Sequence, residues 1–380
     1  LVSTEAKTAE AGSYLASQPV TLALLSALAI VSFLLVTGLS RVYHGQQNSL
    51  AASWYARGVS DLRADRFAPA ASEFRTALRY SPDDDSYQLS LAEALVGLKR
   101  IPEAHAYLST LWERQPENGT VSLLLARIAA ASGKADEALR FYHNAIYAAW
   151  PSDEEVRRRN TRLELIEYLL RVNSKTQAQS ELLALAANLR DQPNQQTHLG
   201  QLFLEAQDYE HALAAFRLSL KSPYRSQADV SGAGAAAYKL GRYPLAQRYL
   251  QEAVAANPKD TESAATLKMT ELVLQIDPFR RQISLSQRNR LIAQAFKVVG
   301  TRLTACATHA SSPGPLRPLI EKWTKLKPQI TPYHLLRNPD LVEEAMDLAF
   351  RVESQTSGWC AAPTESDAAL LLIAKLHEGS

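Results

Sequence analysis

Residues 51–84 read AASWYARGVSDLRADRFAPAASEFRTALRYSPDD. Within them Trp54, Gly58, Ala70, Phe74, Ala77 and Pro82 stand at places 4, 8, 20, 24, 27 and 32. These spacings predict two antiparallel helices. Small residues at places 8 and 20 let the pair approach closely, and a large residue at place 24 fills the gap beside them. Proline near the end cannot continue a helix, so it starts the turn into the next hairpin.

The stretch recurs. A second copy from about Asp85 carries Leu91, Ala92, Ala104, Leu108 and Pro116. A third from Gly119 carries Leu125, Ala126, Ala138, Tyr142, Ala145 and, one place late, Pro151. The fourth is displaced by a charged insertion, Asp153 to Arg158. Its markers are Leu165, Ala178 and Leu182, with Ile166 where a small residue is expected. The fifth shows Leu199, Gly200, Phe203, Ala212, Phe216 and Pro223, and the sixth Gly234, Ala246, Leu250 and Pro258.

The chain thus resembles a tetratricopeptide-repeat protein, a family whose repeat is about 34 residues long. The resemblance implies an all-α fold in which hairpins stack, bury a shared core and form a solenoid with a concave surface. It implies a protein that holds other proteins, and it implies no reaction. It further implies that the first helix of each repeat lines the concave face. The places concerned hold Tyr55, Arg63, Glu93, Arg127, Asn160, Glu167, Arg171, Thr197, Gln201, Glu205, Tyr238 and Lys239. Tyr55, Arg63, Glu93, Arg127, Glu167, Arg171, Gln201, Glu205, Tyr238 and Lys239 are the candidate partner-binding residues. The bland alternative is that these charges form a solvated face. The Lys and Asn clamp with which co-chaperone members hold a terminal carboxylate is missing: Tyr55, Val59, Leu89 and Glu93 occupy its places.

Composition sets bounds. The 380 residues hold 15 Gly and 18 Pro, too few for a disordered low-complexity chain. A formal net charge of +2 provides no strong field for nucleic acid. Two cysteines exclude a disulfide-dense scaffold and a four-cysteine zinc site. Asp83-Asp84-Asp85 lacks the Gly and distal Glu of a calcium loop and reads as a helix start, where acids suit the dipole. Arg157-Arg158-Arg159, in the inserted turn, reads as a solvated helix end that could touch an acidic partner or lipid headgroups.

The chain opens at Leu1, not Met, with a polar tail over residues 1–18. Val20 to Leu39 then runs without a charge, about the length that crosses a bilayer as a helix. Pro19 stands at its start, and Arg41 and Tyr43 come after it as interface anchors do. A signal peptide would have a shorter apolar core and a small-residue cleavage site; a buried core helix would show a polar face. Residues 19–41 therefore read as a transmembrane helix, and 45–50 as a short polar lead that keeps the repeats close to the membrane. The lone Lys7 before the span and Arg41 after it slightly favour repeats in the cytoplasm. The cysteines argue for the other side, and a single-pass protein of a bacterial inner membrane with its repeats outside is the reading adopted.

The repeats are expected near 51–84, 85–118, 119–152, 159–192, 193–226 and 227–260. A capping helix is expected over 261–276 and a small helical module over 284–380, its first helix beginning at Ser286. Ser311 to Pro315 reads as a loop. Cys306 and Cys360 fall just past predicted helices, in polar turns. They form either a disulfide closing a loop of more than fifty residues or two separate thiols. The former is worth on the order of 4 kcal/mol in the chain-entropy model. Cys306 with His309 is at most half a metal or haem site.

No Gly-rich phosphate loop, G-x-S-x-G or H-E-x-x-H is present, and the eight histidines are scattered. No enzyme activity, cofactor or small-molecule substrate is expected. The expected function is a membrane-anchored interaction scaffold, an accessory subunit docking onto a larger membrane or envelope complex, with the bilayer held through residues 20–39. A chaperone-like assembly factor is the alternative, and an enzyme with its site in the C-terminal module a more distant one.

Overall fold

The computed structural model describes residues 9–150, 152–189, 193–223, 225–281, 283–309, 316–358, 360 and 364–377, with side chains from Leu22 onward apart from His309. The first eight residues of the expected tail, the marker Pro151, the His309 ring and the loop Ser311 to Pro315 lie outside the described residues. The fold is all-α. Among the described residues the one β feature is an isolated parallel bridge between Asn118 and Ala149. The chain forms two compact units, Leu1–Tyr168 and Leu169–Ser380.

The first unit begins with α1 (Ala9–Arg63), a single helix of 55 residues. This corrects two expectations. The polar segment is helical from Ala9, and the lead at residues 45–50 is helix rather than spacer. At about 1.5 Å per residue α1 is roughly 80 Å long. Its large apolar side chains from Leu22 to Val42 are each more than half exposed, and the stretch is long and apolar enough to cross a membrane. The end of α1 pairs with α2 (Phe67–Tyr80). Next come α3 (Asp85–Gly97) and α4 (Ile101–Arg114), then α5 (Gly119–Ala131) and α6 (Ala135–Tyr147). Each helix of the unit up to α6 packs on the next. Asp84 caps α3, accepting from the backbone N–H groups of Ser86 and Tyr87. Helix α7 (Glu154–Arg171) takes up the inserted residues after Asp153, so the Arg157–Arg159 run is helix rather than inserted turn.

The second unit holds α8 (Lys175–Ala186), the pair α9 (Pro193–Glu205) and α10 (Tyr209–Ser219), the pair α11 (Gln227–Lys239) and α12 (Tyr243–Ala256), and α13 (Thr261–Ile276) packed on α12. Five helices complete it: α14 (Leu285–His309), α15 (Arg317–Leu326), α16 (Pro332–Arg337), α17 (Asp340–Thr356) and α18 (Glu365–His377). Ser284, not Ser286, caps α14, accepting from the Gln287 N–H.

The backbone repeats at one point in every hairpin. Asp65, Lys99, Gly133, Asn173, Gln207 and Gly241 all have φ between 55° and 72°. Each is the fifteenth residue counted from 51, 85, 119, 159, 193 or 227. The next residue donates its N–H back to the carbonyl five places earlier: Arg66 to Asp61, Arg100 to Leu95, Lys134 to Ala129, Ser174 to Leu169, Asp208 to Phe203 and Arg242 to Ala237, at 2.8–2.9 Å. A left-handed residue with this back-bond is how a helix ends while satisfying its last carbonyls. Only two of the six positions are glycine, so the other four accept a conformation that a Cβ disfavours.

Packing follows the spacing of small and large residues. A Cβ on Gly58 would lie 2.5 Å from the Phe74 ring, one on Gly200 2.8 Å from Phe216 and one on Gly234 2.8 Å from Leu250. Phe74, Phe216 and Leu250 are buried. The C-terminal helices share a core built on Ile292, Phe296, Val299 and Leu303 of α14, Leu348 and Val352 of α17, and Leu370 and Ile373 of α18. Cys306 is inside α14 and buried, not in a polar turn, and is bonded to Cys360 just beyond α17, with Cα atoms 5.6 Å apart.

Candidate protein-binding faces

In the first unit the residues that could meet a partner come from α1, α3, α5 and α7. Tyr55 is half-buried. Its ring stacks on Tyr87 at 4.5 Å and tilts against Phe74 at 5.6 Å, and its hydroxyl lies 3.3 Å from that of Ser90. Tyr55 is therefore held by neighbours on α2 and α3, and a stiff aromatic of this kind loses little entropy on meeting a partner.

Glu93 is half-buried on α3 and makes no ion pair or hydrogen bond among the described residues. Burial raises its carboxyl above the ordinary value, while Arg127 and Arg157 pull the other way. Arg127 is engaged elsewhere: its Nε–H donates to Glu164 Oε1 and a terminal N–H to Oε2, both at 2.8 Å. Glu164 Oε1 also accepts from the Tyr142 hydroxyl at 3.0 Å. The result is a carboxylate without its own cation beside a cation whose fork is already filled. A positively charged group from outside would satisfy Glu93 and relieve the cost of its burial. Arg63 and Glu167 are exposed.

In the second unit Gln201 and Glu205 lie exposed one turn apart on α9, and Lys239 and Arg171 are exposed. Two residues of the expected face are committed to the fold. Thr197 donates to Asp229 Oδ1 at 2.6 Å and lies 3.0 Å from the Ser219 hydroxyl. Tyr238 is half-buried against the C-terminal core and 5.8 Å from Tyr243, and burial raises its phenol above the ordinary value. Tyr238 thus gives part of its ring to the hydrophobic core and keeps part open to solvent. Sequence reasoning missed Tyr87, Tyr142 and Glu164. Glu164 comes after the inserted residues, where the register of the repeat is displaced, so no spacing ties it to Arg127.

A different polar site is buried in the C-terminal module. The Arg302 Nε–H donates to the Thr356 hydroxyl at 2.7 Å, and its guanidinium lies 3.4 Å from both Glu353 and Asp367. Asp367 also caps α18, accepting from Thr364 N–H and hydroxyl. One cation faces two carboxyls. Burial, then Asp367, push Glu353 up to about 8 against the pull of Arg302. The group is a buried polar network joining α14, α17 and α18. No grouping of His, Cys, Asp and Glu suited to a metal occurs among the described residues.

Residues 61–128 and 100–149 match the family model described as tetratricopeptide repeat. No curated protein matches the chain. Similar solved structures include that of Pseudomonas aeruginosa pilF, at 15% identity and a TM-score of 0.39, covering 58% of this chain and 97% of that one. YrrB, described as a tetratricopeptide-repeat protein with an unusual peptide-binding site, is similar at 15% identity and a TM-score of 0.41 over 52% of this chain and 99% of its own. PilW, described as a type IV pilus biogenesis factor, is similar at 15% and 0.39 over 58% and 99%. Residues 61–149 thus match the tetratricopeptide-repeat family, and the helices of that stretch pack in sequence as hairpins.

Proposed function

We propose that the protein is a membrane-anchored scaffold, an accessory subunit that docks onto a larger membrane or envelope complex through its repeats. The observation that carries this reading is the continuity of α1. Its bare apolar stretch runs without a break into the first hairpin. From Val42 to Ala51 the helix rises only about 14 Å. An unbroken helix fixes both height and orientation, whereas a flexible lead would fix neither. Partners are then proteins in or at the same membrane. The half-buried Glu93 and the stacked Tyr55 are the contacts proposed to meet them, with Arg127, Gln201 and Glu205 as further positions.

The bonded pair Cys306–Cys360 supports repeats outside the cytoplasm, since disulfides persist in oxidising compartments. A bacterial inner membrane with the repeats on its outer side fits both features. Extraction in mild detergent tests the function: the protein should copurify with a partner at fixed stoichiometry. A lone monomer with no partner crosslinked in cells would contradict it, and weak capture of many clients would favour a chaperone-like role. Protease access to the repeats in spheroplasts tests the side; protection there would reverse the topology.

A further inference from the structure

Helices α14 and α15 leave between them an open cleft of about 720 Å³. Its floor is one stripe of α14 running from Ala293 to Thr308, a rise of about 22 Å along the helix. The hydroxyls of Thr301, Thr304 and Thr308 donate to carbonyls of their own helix at 2.7–3.1 Å. Their protons are spent there, so the floor offers methyls and oxygen lone pairs. Trp323 forms the wall. Its indole N–H donates to the Phe296 carbonyl at 3.3 Å, and its ring sits where a Cβ on Gly300 would be, at 2.0 Å.

The charge of the cleft is one-sided. Lys297 on the α14 side and Lys327 on the α15 side line it, and among the described residues no acidic one does. Neither lysine has an ion-pair partner among the described residues; the Lys327 ammonium rests over the Trp323 ring at 4.7 Å. The trough is open along its length, whereas small-molecule sites bury most of their ligand. A segment that lays one face down and leaves the other in water fits better, as an amphipathic helix does in a groove.

We infer that this cleft docks an acidic amphipathic helix of a partner protein, its apolar face on the α14 stripe and Trp323, and its carboxylates on Lys297 and Lys327. The site goes beyond the repeat contacts proposed above and involves none of their residues.

The test is a displayed library of 18-residue helical peptides, selected against the full chain in lipid nanodiscs. Thr304 is exposed, so Thr304→Trp fills the trough from the solvent side, and Lys297→Glu with Lys327→Glu reverses its charge. Selected peptides should carry apolar residues at helical spacing flanked by Asp or Glu. Their affinity, read by fluorescence anisotropy, should fall at least tenfold with either variant and weaken with salt, while both variants melt as the parent does. Three results would overturn the inference: no binder sensitive to Thr304→Trp, binders with basic rather than acidic flanks, or binding unchanged by the double charge reversal. A dimer of the chain abolished by Thr304→Trp would place a second copy there and would overturn it too.

Discussion

The ring of Phe74 stands where a side chain on Gly58 would begin, 2.5 Å from the position of its Cβ. Phe74 is fully buried, so it cannot swing away. Gly58→Ala should therefore cost about 1–3 kcal/mol through overpacking. Thermal melting checks this, and Phe74→Leu in the same chain should recover part of the loss. An unchanged melting point in Gly58→Ala would mean that this contact does not hold α1 to α2.

Gly133 isolates the left-handed turn from packing, because a Cβ there would meet nothing within 4 Å. Gly133→Ala should lose about 1 kcal/mol from backbone conformation alone. Lys99 and Gln207 hold the same conformation with a Cβ, so Lys99→Gly should be neutral or gain up to ~1 kcal/mol. Equal destabilisation by both changes would contradict a shared turn geometry.

Arg127 and Glu164 form a forked pair that is partly open to water, with side-chain exposures of 49% and 29%. Such pairs give only ~0.2–1 kcal/mol. Arg127→Ala should leave melting nearly unchanged while reducing recovery of the partner at least tenfold in a native pulldown. Intact recovery would remove this face from the binding surface.

Glu353 should make the C-terminal module pH-sensitive. Its carboxyl titrates at about 8 in the fold, against an ordinary value of 4.5. The folded value is the higher one, so the stabilisation is complete below about 4.5 and is lost as pH rises towards 8. The slope approaches ~1.4 kcal/mol per pH unit at most. Hydrogen exchange of α17 between pH 5 and 8 measures it, and Glu353→Gln should flatten the dependence. A parent protein with pH-independent protection over that window would show that Arg302 keeps Glu353 ionised.

The Cys306–Cys360 bond ties α14 to the end of α17. Replacing both cysteines with alanine should lower stability by about 2–5 kcal/mol. Reductant should lower the melting point of the parent and not of that variant. An insensitive parent would mean the thiols are unpaired in the isolated protein.

Much of the fold was legible in the residues. The pairing of Gly58 with Phe74, Gly200 with Phe216 and Gly234 with Leu250 comes from size alone, because a close helix crossing needs one small and one large partner. The capping of α3 by Asp84 was legible for a similar reason, since its bonds are local. The left-handed turns were not: glycine marks only Gly133 and Gly241, and Lys99 or Gln207 carries no sign of the conformation that its neighbours impose.

What the sequence by itself determined is therefore the period of the hairpins and the apolar run of α1, both properties of near neighbours along the chain. Only the tertiary structure decided that Tyr238 is packed against the C-terminal core, that Arg127 is already occupied by Glu164, and that Arg302 meets Glu353 and Asp367. Those meetings join residues up to 65 positions apart. They depend on how whole helices cross, which no local spacing encodes.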